Sequence, residues 1–183
     1  EEMMATVLRA LNDTGRLGTT YFIFTSDNGL LMGQHRYPAR KNNFYEGSTR
    51  VPLMIRGPGL GPRREDRLVL SIDLAPTLLE LAGAPVPASV DGRSLVPLLH
   101  GPPPESWRSD VLVEAGSPAP GFGLRTPDWS YIENTTEEIE LYDMRRDPWQ
   151  LESLHREAEP ALLQSLHERV RALRSCRGAG CRD

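Results

Sequence analysis

Residues 20–59, TYFIFTSDNGLLMGQHRYPARKNNFYEGSTRVPLMIRGPG, decide the fold of this chain. Two runs rich in apolar residues, Tyr21 to Thr25 and Val51 to Arg56, have the length and character of strands inside an α/β sheet. A long polar loop joins them, and Gly57-Pro58-Gly59 closes the second. The stretch therefore predicts two buried strands, with polar chemistry gathered at the carboxyl end of the first.

The elbow after the first strand is Ser26-Asp27-Asn28-Gly29. Beyond the carboxyl ends of strands in an open α/β sheet, side chains converge on a crevice that binds ligands. Asp27 and Asn28 offer carboxylate and amide oxygens, which suit Ca²⁺ or Mg²⁺. Gly29 predicts a positive φ and a close approach to a ligand. Because Asp-Asn-Gly is also a common turn sequence, a simple turn is the alternative for these residues alone.

The loop after the elbow carries cations and a histidine. Lys41, with Arg36 and Arg40 nearby, could neutralise the oxygens of a sulfuryl or phosphoryl group. Three solvated surface cations are the alternative explanation. His35 could act as an acid or base near neutral pH, or could simply order the loop.

Six landmarks in this order resemble the sulfatase family, and most closely its arylsulfatase and glucosamine-6-sulfatase branch. They are Thr25-Ser26-Asp27-Asn28-Gly29, Gly33-Gln34-His35-Arg36, Lys41, Tyr45-Glu46, Arg50-Val51-Pro52-Leu53 and Arg56-Gly57-Pro58-Gly59.

The resemblance implies a sulfuric ester hydrolase of the alkaline-phosphatase-like superfamily that acts on an aryl or sugar sulfate. It assigns Asp27 and Asn28 to a metal, Ca²⁺ ahead of Mg²⁺, and Lys41 to catalysis through contact with the sulfate and the leaving oxygen. His35 is assigned to the substrate pocket, although family members vary at this position. Glu46 and Arg50 are expected to form an ion pair that fixes the loop.

Part of the family pattern is missing. Sulfatases carry an upstream nucleophile motif, Cys or Ser followed by x-Pro-x-Arg, whose first residue becomes formylglycine, and paired upstream aspartates that complete the metal shell. Neither form of the motif occurs in these 183 residues. We therefore expect the chain to be the C-terminal portion of a sulfatase, inactive without the N-terminal part of the same protein.

The N-terminal half of the chain suggests two further helices and a strand. Residues 1 to 16 have helical spacing of apolar residues. Arg67 to Ile72 is predicted to be a strand, and Asp73 to Gly83 a helix with Asp73 as its N-cap and Gly83 as its C′ residue. The run Pro102-Pro103-Pro104 predicts a boundary, with the catalytic α/β part in 1–101 and a second subdomain in 102–183.

The predicted fold is α/β, a partial alkaline-phosphatase-like layered sheet followed by a small α+β C-terminal subdomain. Four short runs rich in aromatic and branched residues predict an antiparallel sheet there. A helix from about Glu159 to Arg174, with one apolar face, is expected to pack on that sheet. Cys176 and Cys181 form either a local disulfide or two free thiols.

Composition narrows the function classes. A net charge of −4 with 39% hydrophobic and 25% charged residues fits a soluble globular protein and gives no case for a nucleic-acid partner. No stretch approaches the length of a transmembrane helix. An extracytoplasmic or secreted location is expected from the resemblance and the cysteine pair. The alternative functions are a phosphodiesterase or phosphonate hydrolase, which often shows Asp-His at the elbow, and a non-catalytic remnant of the fold.

Overall fold

A computed structural model describes residues 2–102, 104–116 and 120–182. In chain order its elements are helix α1 (Glu2–Asp13), strand β1 (Phe22–Thr25), one-turn helix α2 (Glu46–Thr49), strand β2 (Leu53–Arg56), helix α3 (Leu74–Leu81), one-turn helix α4 (Val96–Leu99), strands β3 (Val111–Ala115), β4 (Gly121–Arg125), β5 (Trp129–Asn134) and β6 (Ile139–Asp143), and helix α5 (Pro160–Ser175). Within those three ranges, no helix has both the length and the apolar character needed to cross a membrane.

The C-terminal sheet is a four-stranded antiparallel meander in the order β3-β4-β5-β6. Its strands are dominated by aromatic and branched residues, which fit a pleated, half-buried surface. The hydroxyl of Thr126 accepts hydrogen bonds from the Asp128 and Trp129 backbone amides, which tightens the turn between β4 and β5. All four strands therefore confirm the predicted antiparallel sheet.

Helix α5 covers one face of this sheet. Pro160 lies in the first turn, where its missing N–H costs nothing. Six buried side chains from the helix and the sheet form the core: Leu124, Tyr131, Leu141, Leu166, Val170 and Leu173. Burying one such side chain contributes roughly 1.5 to 3 kcal/mol, so this packing holds the C-terminal part together. The predicted helix is confirmed to within one residue at each end.

Strands β1 and β2 form a separate antiparallel pair, with Phe22 opposite Arg56 and Thr25 opposite Leu53. Their side chains are half-buried or exposed. The predicted burial on both faces is therefore wrong for the described part of the chain, because no described element covers them fully. The antiparallel pairing places the start of β2 beside the end of β1, next to the elbow.

Helix α1 is amphipathic, and none of its residues is buried. Met3 is 79% exposed and Val7 is 43% exposed. The helix predicted for residues 1 to 16 is confirmed over Glu2–Asp13, while residue 1 lies outside the described residues. The helix predicted from the apolar spacing therefore forms, but its apolar residues Met4, Leu8 and Leu11 are only half-buried in the described chain.

Around Asp73, one prediction is wrong and another is confirmed only in part. The segment from Arg67 to Ile72 forms no strand; it has no ladder partner in the described ranges and ends in a 3-10 turn at Ser71–Asp73. Asp73 is the N-cap residue of α3, as predicted, but its side chain makes no cap hydrogen bond to that helix. Its fully buried carboxylate instead accepts the Leu70 and Arg93 backbone amides, each at 2.8 Å, and the guanidinium of Arg108. The Arg108 guanidinium neutralises this buried carboxylate. The Asp73 side chain is therefore used in the ion pair and not as a cap of α3. Gly83, with φ +69°, is confirmed as the C′ residue.

The C-terminal tail returns to the N-terminal half. A disulfide joins Cys176 to Cys181, which settles the alternatives left open by the sequence. The Gly178 amide donates to the Asp91 carboxylate at 2.6 Å, so the short loop closed by the disulfide contacts the segment before α4. The boundary at residues 101 and 102 stays a prediction, and Pro103 of the proline run lies outside the described residues.

Candidate functional site

The elbow after β1 is an extended bend and not a tight hairpin turn. Asp27 Oδ1 accepts the Asn28 amide at 2.9 Å, and the Asn28 side-chain amide donates to the Gly29 carbonyl at 2.9 Å. Gly29 lacks the predicted positive φ. It is needed for a different reason: a Cβ at this position would lie 2.2 Å from the Gly47 carbonyl oxygen. The close approach is therefore to the protein's own backbone.

The loop that carries Lys41 is hydrogen-bonded to the elbow segment on both sides of the lysine. Before it, Leu31 and Arg40 form an antiparallel bridge, with Leu31 fully buried. After it, the Asn43 amide donates to the hydroxyl of Ser48, and the Ser48 carbonyl accepts the Gly29 amide at 2.8 Å. Lys41 itself is exposed. These hydrogen bonds tie the residues on both sides of Lys41 to Gly29 and Leu31, although the loop is long.

The predicted cation cluster is only partly assembled. The Arg40 guanidinium lies over the Tyr37 ring at 5.1 Å from the centroid, so Arg40 is engaged in a cation–π contact. Arg36 is exposed and has φ +64°, an uncommon backbone conformation for arginine. Lys41 is thus the cation of the three that neither stacks on a ring nor sits at a strained backbone position.

His35 lies against the C-terminal sheet. Its ring stacks on Tyr45, with centroids 3.6 Å apart and planes 6° from parallel. The Tyr45 hydroxyl donates to Glu140 on β6 at 3.0 Å, and Tyr142 donates to the same carboxylate. Burial lowers the pKa of His35 below its ordinary value, against a smaller opposing effect of the Glu140 charge. His35 therefore favours its neutral form near pH 7.

Glu46 is the second link to the C-terminal sheet. Its carboxylate lies 2.8 Å from Arg125 on β4 and 3.6 Å from Arg50. The predicted Glu46–Arg50 pair is present, but the Arg50 side chain is 73% exposed and the shorter contact is to Arg125. The Glu46 amide donates to the side chain of Gln150 at 2.7 Å. The contacts with Arg125 and Gln150 hold the one-turn helix α2 in place.

The elbow fits part of a hard-metal site. Within the described residues, the contacts above engage Asp27 Oδ1 and the Asn28 side-chain nitrogen, and no hydrogen bond uses Asp27 Oδ2 or Asn28 Oδ1. These two oxygens suit Ca²⁺, which takes 6 to 8 oxygen ligands. No group of three or more His, Cys, Asp or Glu in the described ranges could hold a metal. The elbow could therefore supply two ligands, and the rest of the shell would have to come from elsewhere.

Sequence reasoning missed the residues that join the loop to the sheet. Neither Glu140 nor Gln150 was assigned a functional role from the sequence, and their contacts reach Tyr45 and Glu46 across about a hundred positions of the chain. One signal was available: Glu140 and Tyr142 lie on the same face of one strand, because side chains two residues apart share a face. That alternation could have suggested a polar pair but not its partners.

Comparisons with known proteins identify the family of this chain. Residues 33–176 match the family described as N-sulphoglucosamine sulphohydrolase, C-terminal. The human N-acetylglucosamine-6-sulfatase is 34% identical over 220 residues, which cover all of this chain (100%) and 40% of the relative. The chain thus spans well under half the length of this relative.

Two solved structures share the fold. One is BT4656 in complex with its substrate D-glucosamine-2-N,6-O-disulfate, with a TM-score of 0.79, 31% identity, and coverage of 93% of this chain and 37% of that chain. The other is the phosphonate monoester hydrolase of Agrobacterium radiobacter, with a TM-score of 0.81, 29% identity, and coverage of 93% and 38%.

The fold is that of the C-terminal part of the alkaline-phosphatase-like hydrolases, with a mixed helix and sheet body and antiparallel sheets. The chain belongs to the sulfatase family, within its N-sulphoglucosamine sulphohydrolase C-terminal region. The resemblance stated from the six sequence landmarks is confirmed. The assignments of Asp27, Asn28, Lys41 and His35 remain predictions.

Proposed function

We propose that this chain is the C-terminal portion of a sulfuric ester hydrolase and that it supplies one wall of the active site. The observation that supports the proposal is the set of hydrogen bonds that ties the chain on both sides of Lys41 to Gly29 and Leu31, which follow Asp27 and Asn28 in the sequence. Two hard oxygens beside a cation suit a metal-assisted transfer of a charged sulfuryl group. The family membership supports the same reaction class.

Each residue has a distinct role in this proposal. Asp27 and Asn28 hold a divalent cation, Ca²⁺ ahead of Mg²⁺, together with ligands from the N-terminal part of the protein. When bound, that cation neutralises sulfate oxygens and activates the formylglycine nucleophile expected in the same N-terminal part. Lys41 stabilises charge on the sulfate and on the leaving oxygen. His35, neutral and held on Tyr45, lines the substrate pocket.

The relatives narrow the substrate. The human relative is named for N-acetylglucosamine 6-sulfate, and the complex of BT4656 contains a sulfated glucosamine. We therefore favour an amino-sugar sulfate over a simple aryl sulfate. The disulfide at Cys176 and Cys181 supports an extracytoplasmic or secreted location, because disulfides persist in oxidising compartments.

The test uses the full-length protein that contains this chain and measures sulfate release from N-acetylglucosamine 6-sulfate. Lys41→Ala should lower kcat/KM by about 100-fold or more, the usual loss when a donor to developing charge is removed. Arg63→Ala, which removes an exposed cation from the loop after β2, is the matched control and should stay within about twofold. Equal activity of Lys41→Ala and the control would refute the role of Lys41.

The metal assignment has its own readout. Asp27→Asn keeps the shape of the side chain and removes its charge, so the purified protein should lose most of its tightly bound calcium, measured by elemental analysis. Unchanged calcium content would mean that the elbow is a structural bend. This measurement does not depend on activity.

A phosphonate monoester hydrolase is the second candidate, because one such enzyme has a TM-score of 0.81 to this chain. The two reactions share a fold and a metal-assisted mechanism, so geometry alone does not separate them. The ratio of kcat/KM for a sulfate monoester to that for a phosphonate monoester decides between them. A ratio well above one supports the sulfatase, and a ratio well below one supports this alternative.

A further inference from the structure

The segment Asp147-Pro148-Trp149-Gln150-Leu151 presents a tryptophan to solvent. The Trp149 side chain is 73% exposed, and Leu151 beside it is 71% exposed. Tryptophan is usually largely buried, because its ring offers the largest apolar surface of any side chain. An indole exposed to this degree needs a reason in the structure or the function.

This segment is fixed in place and is not a loose surface loop. Gln150 is 1% exposed. Its side-chain nitrogen donates to the Ser130 hydroxyl on β5 at 2.9 Å, and its side-chain oxygen accepts a hydrogen bond from the Glu46 backbone amide at 2.7 Å. The Asp147 carboxylate accepts the Leu151 and Glu152 backbone amides at 2.7 and 2.9 Å. The buried residue and the capped turn together hold the Trp149 backbone against the sheet.

Trp149 also borders the candidate site. The next residue, Gln150, accepts the Glu46 backbone amide, and Glu46 follows Tyr45, on which the His35 ring stacks. The charge of Asp147 also acts on the His35 ring. Left-handed, non-glycine conformations occur in both of these segments, at His35 (φ +51°), Arg36 (φ +64°) and Gln150 (φ +58°). Such strain costs about 1 to 3 kcal/mol per residue and persists mainly where function requires the geometry.

We propose that Trp149 is the stacking surface for the sugar ring of the substrate and that it sets specificity for a sugar sulfate. This inference rests on the proposed function. The apolar face of a pyranose ring would cover the exposed indole, while the carboxylate of Asp147 and the ring of His35 offer hydrogen-bonding groups for its hydroxyls. The sulfate would lie toward Lys41 and the elbow. Trp149 contributes binding of the sugar and takes no part in bond breaking.

The test compares Trp149→Ala, Trp149→Phe and the neighbouring control Leu151→Ala in the full-length protein. With N-acetylglucosamine 6-sulfate, Trp149→Ala should raise KM by about tenfold or more, as aromatic anchors do when truncated. Trp149→Phe keeps an aromatic face and should recover most of the loss. Leu151→Ala should stay within about twofold of wild type.

Inorganic sulfate, used as a competitive inhibitor, separates the sugar contact from the sulfate contact. Its inhibition constant should be unchanged in Trp149→Ala and weakened in Lys41→Ala. Equal changes in KM for the sugar sulfate and in the inhibition constant for sulfate would overturn the proposal. So would a fall in Tm for Trp149→Ala that Trp149→Phe does not reverse, since that result would mean that the indole packs on another part of the protein.

A direct binding measurement keeps this inference separate from the proposed function. If the wild-type protein releases no sulfate from any ester, the proposed function fails. N-acetylglucosamine can then be titrated while the indole N–H signal of Trp149 is followed by NMR, with Trp149→Phe to assign the signal. A saturable shift supports the sugar subsite, and no shift up to high millimolar sugar overturns it.

Discussion

The C-terminal sheet with α5 and the N-terminal pair β1–β2 with α1 differ in how their apolar surface is covered. In the sheet–helix unit, residues 111–175, Leu141 and Val170 are 0% exposed. In the N-terminal region Met3 is 79% and Met54 is 54% exposed. The first region is stabilised by its own dry core. The second is held within the described chain by backbone pairing and by polar links to its neighbours, so substitutions should act very differently in the two.

The largest effect is expected at the buried ion pair between Asp73 and Arg108, in the segment that lies between the two regions along the chain. Asp73→Ala leaves the guanidinium of Arg108, whose side chain is 2% exposed, without its carboxylate. Removing one partner of a buried pair costs about 3 to 5 kcal/mol of unfolding free energy, because the other charge stays buried and uncompensated. Denaturant unfolding of the variant measures this loss.

The matched control is the exposed pair Arg64–Asp66, whose side chains are 82% and 75% exposed. Surface pairs of this kind contribute about 0 to 1 kcal/mol, so Asp66→Ala should be close to neutral. A loss of less than about 1 kcal/mol for Asp73→Ala would mean that water reaches Arg108 and that the pair contributes little to stability.

The second-largest effect is expected when a core side chain is shortened, and the same change can be compared between the two regions. Leu141→Ala removes a fully buried side chain from the sheet–helix unit and should cost about 2 to 5 kcal/mol. Met3→Ala removes an exposed side chain from α1 and should stay within about 0.5 kcal/mol. Unfolding midpoints of both variants measure the contrast. A large loss from Met3→Ala would show that another part of the protein covers the α1 face.

The same contrast explains what the sequence could predict. The spacing of apolar residues predicts a helix or strand from residues that are close in sequence. The four strands β3 to β6 and the helix α5 could therefore be predicted. The same rule predicted a strand from Arg67 to Ile72, which did not form, because strand patterns state a preference and the partner strand decides the outcome. Motif spacing gave the family, because the six landmarks lie within 40 positions.

The polar links could not be predicted, since their partners lie far apart in the chain. Asp73 has the sequence features of an N-cap, yet its carboxylate is committed to Arg108, 35 residues away. Gln150 occurs in an ordinary turn sequence but ties Glu46 to Ser130. Gly29 is needed for contact with Gly47 and not for a turn. In each case a long-range contact overrides a local preference.

The smallest effect concerns His35, where the loop meets the sheet–helix unit. Burial lowers the pKa of His35 in the folded protein below the ordinary value of 6.5, which the unfolded chain retains. Between these two values the unfolded state binds more protons, so folding stability falls as the pH drops below about 6.5 and levels off below the folded pKa. His35→Phe keeps a ring to stack on Tyr45 but cannot titrate. Between pH 7.5 and pH 5.5 it should therefore lose less stability than wild type.

His35→Ala separates titration from stacking. It should show the same reduced pH dependence as His35→Phe, together with a loss of stability at pH 7.5 from the missing ring contact. Thermal unfolding of the three proteins at both pH values measures each contribution. If His35→Phe loses as much stability as wild type on acidification, then His35 titrates alike in the folded and unfolded chains. The stacked ring would then only position the loop on Tyr45.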